Sequence, residues 1–295
     1  MDISLVGSIN IDLVYRVPYI VNNGETLHST SHSVHFGGKG ANQAVTASQL
    51  GANVHFIGKV GKGDFGEQAI DNLRNKGVYV DSVQKEGATG QAIIQVTDAG
   101  DNAIVLFSGA NFLVTPKQIE QETHIISSSK VLLLQLEIPL DTVERAVEIA
   151  SQHRKIVILN PAPTHQLPDS LLEKITFLTP NETELAQLTG IETTTEENIR
   201  SACRLLLEKG VGTVVVTLGS KGSFYMNQED SGWVPALSVD TIDTTGAGDA
   251  FNGALAVGLC RGDSLRSSID FATKVAAYVV TQMGAQPSIP DSLLK

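Results

Sequence analysis

The apolar positions along the chain follow two different spacings. Residues 3–6 form a short run that is apolar except for Ser4, and from about residue 130 similar apolar runs alternate with segments whose apolar residues recur every three to four positions. Short apolar runs predict buried strands, and the longer period predicts amphipathic helices. Strands that alternate with helices favour a parallel sheet with helices on both faces. The pattern therefore predicts an α/β fold of three layers.

Two segments depart from this alternation of strands and helices. Residues 13–36 alternate between apolar and polar positions and then contain proline and an Asn-Asn-Gly turn, and residues 90–109 alternate on both sides of a turn. Such patterns are typical of strands and hairpins. We therefore predict one α/β domain, formed by residues 1–12, 37–89 and 110–295, with a small inserted β-sheet formed by the other two segments.

Two glycine-rich turns precede predicted helices. Residues 243–253 (DTTGAGDAFNG) follow an alternating apolar run at 237–242, which predicts a strand, a turn and a helix start. Residues 37–44 (GGKGANQA) form a second such turn, which does not match a Walker A loop. The unpaired N–H groups of a helix start suit a phosphate or another polar ligand. Locally, Asp249 fits either an N-terminal helix residue or a base beside an anion-binding turn.

Polar side chains follow several of the predicted strands. Asn10 and Asp12 come after the first strand, Glu137 after a later one, and Asn181 and Glu184 after another. The carboxyl ends of parallel strands meet at the edge where open α/β sheets bind ligands, so these residues are candidates for a common site. Asn181 and Glu184 equally fit a helix-capping pair, and the local pattern leaves both interpretations open.

Composition narrows the classes of function. The chain has 295 residues, of which 42% are hydrophobic and 18% charged, as in a globular protein. Its net charge of -11 argues against a nucleic-acid-binding surface. The two cysteines, Cys203 and Cys260, lie in helical patterns and are predicted to be packed rather than reactive. Without a recognisable leader or an apolar run of membrane-spanning length, we expect a cytoplasmic protein with no membrane partner.

In their order along the chain, the motifs resemble the PfkB/ribokinase family of carbohydrate kinases. The matching segments are GSINID (7–12), FGGKGANQA (36–44), QLE (135–137), NPAP (160–163), PNETE (180–184), TLGS (217–220), DTTGAGDAFNG (243–253) and GAQPS (284–288). The resemblance covers nearly the whole chain, and GGKGAN and DTTGAGD are its most specific parts. It implies a central, mostly parallel sheet flanked by helices. It also implies that the inserted sheet is a lid, which closes over the sugar and pairs with a second subunit's lid in a homodimer.

The resemblance implies ATP-dependent phosphorylation of D-ribose at its 5-hydroxyl. Asp249 would be the base, and Gly246, Ala247 and Gly248 would present N–H groups to the transferring phosphate. The implied sugar-binding residues are Asn10, Asp12, Gly38, Lys39, Asn42, Glu137 and Asp249. The implied nucleotide-binding residues are Asn181, Thr217, Gly219, Ser220, Gly222, Ala247, Gly248 and Thr273. Thr273 stands where relatives often have His or Asn.

The resemblance also implies two cations. Mg²⁺ or another divalent cation would lie near Glu184, through water. K⁺ would activate the enzyme from a site that uses oxygens of Asp243, Thr245, Val279, Gln282, Gly284 and Ser288. The nearest alternative is a kinase of another small sugar such as 2-deoxyribose, which would leave one side of Asp12 unpaired at a cost of about 1–3 kcal/mol. A sugar-binding regulator without catalysis is a further alternative, which the presence of Asp249 disfavours.

Overall fold

A computed structural model describes residues 1–294, which contain thirteen strands in two sheets. In chain order the strands are β1 (Asp2–Val6), β2 (Asn10–Arg16), β3 (Ser31–Gly37), β4 (Asn53–Val60), β5 (Tyr79–Lys85), β6 (Gly90–Val96), β7 (Asn102–Phe107), β8 (Val131–Leu134), β9 (Ile156–Leu159), β10 (Phe177–Leu178), β11 (Thr213–Thr217), β12 (Ser223–Asn227) and β13 (Ser231–Val234). Nine strands form the larger sheet, in the order β13-β12-β11-β10-β9-β8-β1-β4-β5, and the smaller sheet has the order β3-β2-β6-β7.

The helices are α1 (Lys39–Gln49), α2 (Asp64–Asn75), α3 (Pro116–Gln121), α4 (Thr123–Ser128), α5 (Leu140–Gln152), α6 (Asp169–Leu172), α7 (Glu182–Thr189), α8 (Glu196–Glu208), α9 (Ala247–Arg261) and α10 (Leu265–Val279). From β8 to α7 the strands and helices alternate as predicted. Short 3₁₀ helices span Gly109–Leu113, Gly219–Lys221 and Asp291–Leu294. None of the helices within residues 1–294 has the length and apolar character that crossing a bilayer requires.

The larger sheet is buried on both faces. Its pairs are parallel except at one edge, where β11, β12 and β13 run antiparallel. On β8, Val131 and Leu133 join a core with α1, α2, α9 and α10, whereas Leu132 and Leu134 join a second core with α3, α5, α7 and α8. Successive side chains of a strand point to opposite faces, so an unbroken apolar run supplies both cores. Burying each such leucine stabilises the fold by roughly 1.5–3 kcal/mol. The predicted three-layer α/β fold with a small second sheet is confirmed.

Helix α9 lies in the interior of the first core and carries Asp249 in its first turn. Every residue from 249 to 260 is buried. Gly253 makes room for α1, because a Cβ at this position would lie 2.7 Å from the carbonyl oxygen of Gln43. The close approach of the two helices brings side chains of α1 next to Asp249.

The strand predicted just before the glycine turn is wrong. Residues 235–242 form no strand, and Leu237 and Val239 instead line a cavity beside α9. The N–H groups of Ile242 and Asp243 both donate to the carbonyl oxygen of Val280, at 2.8 and 3.1 Å. The segment is therefore tied to the end of α10 rather than to a sheet, and its apolar residues serve the cavity wall instead of the core.

One face of the smaller sheet carries an apolar row, which is exposed except at Leu13, where it packs against the first core. Leu13 on β2 pairs with Val34 on β3 and with Ile93 on β6, and Ile93 pairs with Val105 on β7. These four residues cross all four strands side by side. Val105 is 65% exposed, and Val34 and Ile93 are exposed as well.

The opposite face of the smaller sheet carries Asp12. Asp12 precedes Leu13 on β2 and therefore points away from the apolar row. Across the strands it aligns with Ala92 and Leu106. Leu106 lines a pocket of about 130 Å³ together with Asn10 and Glu137. This face of the smaller sheet thus covers the ligand edge of the larger sheet.

Candidate active site

Asp249 is a buried carboxylate held by two amide donors. Its Oδ2 accepts a hydrogen bond from Nδ2 of Asn42 (2.9 Å), and its Oδ1 accepts one from Nε2 of Gln43 (3.0 Å). Burial raises the pKa of Asp249, although the positive charge of Lys39 and the two amides act in the opposite direction. The N-cap of α9 is Gly246, and the helix has no side-chain capping hydrogen bond. Asp249 thus lies in the first turn of α9, as one local interpretation predicted, but its carboxylate does not cap the helix.

The turn before α9 depends on glycine at one position. Gly246 has φ +76°, and a Cβ there would lie 2.8 Å from the Cα of Ala285. The turn leaves Ala247 and Gly248 at the wall of the larger cavity. The N–H of Ala247 donates to the carbonyl oxygen of Thr244 over 3.2 Å, so this donor already has a partner. The predicted anion-binding role of these residues remains a prediction.

A cluster of charged groups faces Asp249 from β2, from the start of α1 and from the loop after β8. Oε2 of Glu137 accepts hydrogen bonds from the Ser8 hydroxyl (2.5 Å) and from the backbone N–H of Lys39 (3.0 Å). Burial, together with the negative charges of Glu137 and Asp249, raises the pKa of Asp12 to about 6. Burial opposes the charge of Lys39, but the carboxylates of Asp249 and Glu137 outweigh it and raise the Lys39 pKa. The predicted sugar-binding side chains thus influence one another electrostatically.

Gly38, the remaining predicted sugar-binding residue, lies at the N-cap of α1. It has φ +90°, and a Cβ there would lie 2.8 Å from the backbone nitrogen of Asn10. The glycine lets the start of α1 approach the loop after β1 closely. Lys39 and Asn42 follow in the first turn of the same helix, so one short segment carries three of the predicted sugar-binding residues.

Asn111 is a buried site residue that the sequence analysis missed. Its Oδ1 accepts the N–H of Ile9 (2.9 Å), and its Nδ2 donates to Oδ1 of Asn10 (2.7 Å). Since the Asn10 oxygen is occupied in this way, its amide nitrogen remains the group available to a ligand. A Cβ at Gly90 would lie 2.2 Å from Oδ1 of Asn10, so only glycine fits beside this pair. Asn111 could have been recognised from the sequence as the polar residue of a Gly-Ala-Asn turn that follows a predicted strand.

A cavity of about 680 Å³ adjoins the N-terminus of α9. It brings together all the residues predicted to bind the nucleotide, namely Asn181, Thr217, Gly219, Ser220, Gly222, Ala247, Gly248 and Thr273. Ala276, Ala277 and Val280 form an apolar part of the wall. Thr273 lines the same cavity, and its hydroxyl oxygen is buried without a hydrogen-bond partner.

Asn181 and Glu184 form the capping pair that the local pattern left open. Oδ1 of Asn181 accepts the N–H of Glu184 (2.8 Å), and Oε2 of Glu184 accepts the N–H of Asn181 (2.9 Å). Burial raises the pKa of Glu184, against the effects of the Asn181 hydrogen bond and the Lys39 charge. Capping uses only one carboxylate oxygen of Glu184. A single carboxylate beside substrate phosphates suits Mg²⁺, which keeps most of its water ligands, so the residue fits the predicted role.

The predicted K⁺ residues lie in two loops that Asp243 connects. Its Oδ1 accepts hydrogen bonds from the N–H (2.9 Å) and hydroxyl (2.6 Å) of Thr245, and its Oδ2 accepts the N–H of Gly284 (2.9 Å). Burial opposes ionisation of Asp243, but these hydrogen bonds outweigh it and lower the pKa. The carboxylate therefore stays charged and retains lone pairs, which suits a hard cation.

The other K⁺ residues lie in the segment that leads from α10 to the second loop. The carbonyl oxygen of Val279 accepts the N–H of Gln282, and that of Ser288 accepts the Tyr278 hydroxyl. Each of these oxygens has a second lone pair, so the donor set fits K⁺. Among residues 1–294, no three or more His, Cys, Asp and Glu side chains form a metal-binding group.

Comparison with known proteins identifies the family. Residues 1–292 match the model of the pfkB family carbohydrate kinases. The chain is 42% identical to a ribokinase of Haemophilus influenzae over 291 residues, which cover 98% of this chain and 95% of that protein. It is also 38% identical to a deoxyribokinase of Salmonella typhimurium over 294 residues, with 99% and 96% coverage. The chain therefore belongs to the pfkB family of carbohydrate kinases.

Solved structures agree with this assignment. An Arabidopsis thaliana ribokinase complexed with ribose and ATP superposes with a TM-score of 0.93 at 33% identity, covering 100% of this chain and 98% of that one. A ribokinase of Thermotoga maritima gives a TM-score of 0.91 at 36% identity, with coverage of 99% and 97%. These superpositions cover both the larger and the smaller sheet.

Proposed function

We propose that the chain transfers the γ-phosphoryl group of ATP to the 5-hydroxyl of D-ribose. The observation that carries this proposal is the position of Asp249 between two different environments. On one side lie the charged groups Asp12, Lys39 and Glu137. On the other side, the preceding residues of the turn line the cavity of about 680 Å³. A base at this boundary can meet a sugar hydroxyl and a nucleotide phosphate together.

Asp249 accepts the proton of the 5-hydroxyl as the phosphoryl group moves to that oxygen. The loose transition state of phosphoryl transfer requires orientation and charge stabilisation more than a strong base. Asn42 and Gln43 orient the carboxylate, since each donates to a different oxygen. The N–H groups at the start of α9, with the partial positive charge of the helix, stabilise the transferring phosphate.

Ribose lies between the loop after β1 and the smaller sheet. Asp12 accepts hydrogen bonds from two adjacent hydroxyls, while the Asn10 amide donates to another oxygen of the sugar. Glu137 and Lys39 complete the polar enclosure. The Asp12 face of the smaller sheet acts as the lid, and its closure excludes water, which limits hydrolysis of ATP.

The nucleotide occupies the larger cavity. The apolar wall formed by Ala276, Ala277 and Val280 suits the flat face of adenine, and Thr273 lies beside it in the same cavity. Glu184 would hold Mg²⁺ through water, and Mg²⁺ would neutralise charge on the phosphates. The loops joined by Asp243 would hold K⁺, which would stabilise the turn that carries Gly246.

The smaller sheet is also the proposed dimer interface. The apolar row of Leu13, Val34, Ile93 and Val105 lies on the face opposite Asp12. Covering an exposed apolar row removes it from water, and two copies of the same row can meet about a twofold axis. We therefore propose a homodimer in which two lids pair through this face.

A pentose panel tests the proposed activity. ADP release is measured with ATP, Mg²⁺ and one of ribose, 2-deoxyribose, xylose or arabinose, with K⁺ present or replaced by Na⁺. We expect ribose to give the highest kcat/KM, with a faster rate in K⁺. The relative from Salmonella typhimurium makes 2-deoxyribose the second candidate substrate. Higher kcat/KM for 2-deoxyribose would overturn the ribose assignment, and the absence of turnover with every sugar would overturn kinase activity.

A further inference from the structure

We propose that Gln135 and Gln43 are positioning residues, which form a relay of amides that aims the Asp249 carboxylate at the sugar hydroxyl. The relay connects the end of the central strand β8 to helix α1 and then to α9. It rests on the proposed function for its catalytic consequence, but its geometry is independent of the substrate.

The relay consists of consecutive hydrogen bonds among fully buried side chains. Nε2 of Gln135 donates to Oε1 of Gln43 (2.6 Å), and Nε2 of Gln43 donates to Oδ1 of Asp249 (3.0 Å). Gln43 and Gln135 are both 0% exposed. Nε2 of Gln43 also lies 3.3 Å from Oδ1 of Asn160, which limits its rotation further.

The direction of the relay follows from the donor and acceptor groups. An ionised Asp249 can only accept, so Gln43 must turn its NH₂ group towards the carboxylate. Its carbonyl oxygen then faces Gln135, which must donate in turn. The hydrogen bond from Gln135 therefore favours one of the two orientations of the Gln43 amide. In this orientation the NH₂ group of Gln43 points to the ionised Asp249 carboxylate.

The carbonyl oxygen of the Gln135 amide indicates that Gln135 has more than a structural role. Oε1 of Gln135 is buried without a hydrogen-bond partner. An unsatisfied buried acceptor lowers the stability of the fold, so packing alone would favour apolar side chains at both position 43 and position 135. The amide is therefore useful for what its nitrogen does to Gln43.

Other charged groups also face Asp249, and the relay acts in addition to them. Lys39 approaches from α1 and stabilises the ionised carboxylate, whereas Glu137 opposes ionisation. The negative charge of Asp249 also contributes to raising the pKa of Asp12 on the smaller sheet and of Glu184 on α7. Substitution of Gln135 leaves these four groups in place, so it isolates the contribution of the relay.

The test is Gln135→Met, compared with Gln118→Met as a matched control. Gln118 is likewise buried, its Nε2 donates to the carbonyl oxygens of Gly58 (3.0 Å) and Ser82 (3.4 Å), and its Oε1 also lacks a partner. It makes no contact with the relay. For each variant we would measure Tm, the pH dependence of kcat/KM for ribose, the KM for ATP, and the carboxyl titration of Asp249 by ¹³C NMR, assigned by its loss in Asp249→Asn.

We expect Gln135→Met to raise the pKa of Asp249 by about one unit and to lower kcat/KM for ribose about tenfold, because a donor to the ionised carboxylate is no longer oriented. The acid limb of the pH profile should move to higher pH, while the KM for ATP stays unchanged. Both Gln135→Met and Gln118→Met should lower Tm, because each leaves a buried acceptor without its donor. Gln118→Met should leave the Asp249 pKa and the pH profile unchanged.

A second variant tests the direction of the relay. Gln135→Glu is closer to glutamine in shape than methionine is, but an ionised glutamate can only accept and therefore forces the Gln43 carbonyl towards Asp249. We expect it to lose more activity than Gln135→Met at pH 8 and to recover as the pH falls and the glutamate can donate. An unchanged Asp249 titration in Gln135→Met would overturn the proposal. Since the NMR titration needs no turnover, this result is distinct from a failure of the proposed kinase activity.

Discussion

The two sheets of this protein differ in what covers their faces. The larger sheet is buried on both sides, and residues such as Leu132 and Leu133 supply two separate cores. In the smaller sheet, Val34, Ile93, Ile104 and Val105 are all exposed. The smaller sheet joins the core of the larger domain only through Ile11, with Leu13 and Phe36 packed against that core. A four-stranded sheet with so little core is not expected to be rigid by itself. In our proposal, the smaller sheet becomes rigid through its contacts with the larger domain, with ribose and with a second subunit.

The difference between the sheets matches a division of roles. Asp249 and its amide partners belong to helices packed on the larger sheet, where buried side chains hold one geometry. Asp12 belongs to the smaller sheet, which, as the proposed lid, would approach and withdraw without disturbing the Asp249 carboxylate. Our proposal therefore assigns the chemistry to the larger domain, as the rigid part, and ligand exchange to the smaller sheet, and the following predictions test that assignment.

The largest effect is expected from Asp249→Asn, which removes the base from the rigid part. The substitution retains the shape of the side chain, so the protein should fold and bind ribose. We expect kcat to fall about 10²- to 10⁴-fold, because an amide cannot accept the hydroxyl proton. Steady-state kinetics would measure kcat, and calorimetry would measure ribose affinity.

The control for this substitution lies at the other end of the same helix. Asp263 follows α9 and is paired with Arg261 (3.1 Å) on the surface, so Asp263→Asn should leave kcat unchanged. If Asp249→Asn kept more than about a tenth of the wild-type kcat, the assignment of Asp249 as base would be wrong.

The spacing of apolar residues along the chain predicted much of the fold. Unbroken apolar runs identified the buried strands of the larger sheet, and alternation identified both hairpin segments of the smaller one. The same rule failed at residues 237–242, because a cavity wall also needs apolar side chains. An alternating run indicates that one side is apolar, but it does not say whether a core, a ligand or a partner covers that side.

The candidate site was only partly predictable for a different reason. Side chains in the glycine-rich motifs, such as Asn42 and Asp249, were found from local patterns and from resemblance. The contacts between distant segments were not: Gln43 meets Asp249 across 206 positions of the chain, and Asn111 meets Asn10 across 101. Such contacts depend on how helices and loops pack, which no local pattern encodes.

The second prediction concerns the apolar face of the smaller sheet. Val105→Asp places a charge in the proposed dimer interface, and burying an unpaired charge is strongly unfavourable. We expect the dimer dissociation constant to rise at least about tenfold, which corresponds to 1.4 kcal/mol, with no loss of α/β structure. Sedimentation velocity over a range of concentrations would measure the dissociation constant.

Ile104→Asp is the matched control for the dimer interface. Ile104 is the neighbouring residue on β7 and is similarly exposed (57%), but it lies on the Asp12 face. It should leave self-association unchanged. Equal weakening by both substitutions would contradict an interface confined to the apolar row, and a wild-type monomer at all concentrations would contradict the dimer itself.

The smallest effect concerns the pH dependence of ribose binding through Asp12. Its folded-state pKa is about 6, against an ordinary value of 3.8, because of burial and the nearby negative charges. Ribose binds the ionised form, which is present above this pKa and is lost as pH falls through it. Affinity should therefore decrease about tenfold between pH 7 and pH 5, since each pH unit below the pKa weakens binding by up to tenfold.

Asp12→Asn separates this effect from the titration of the other carboxylates. The raised folded-state pKa means that Asp12 favours the fold below its unfolded pKa, and that this contribution is lost as pH rises through about 6. The variant should therefore have a higher Tm than the wild type at pH 8 and no difference at pH 3.5. Its ribose affinity, measured by calorimetry, should be weaker at pH 7 and nearly constant down to pH 5. If the variant kept the full tenfold decrease, a group on the rigid part of the site, and not Asp12 on the smaller sheet, would control ribose binding.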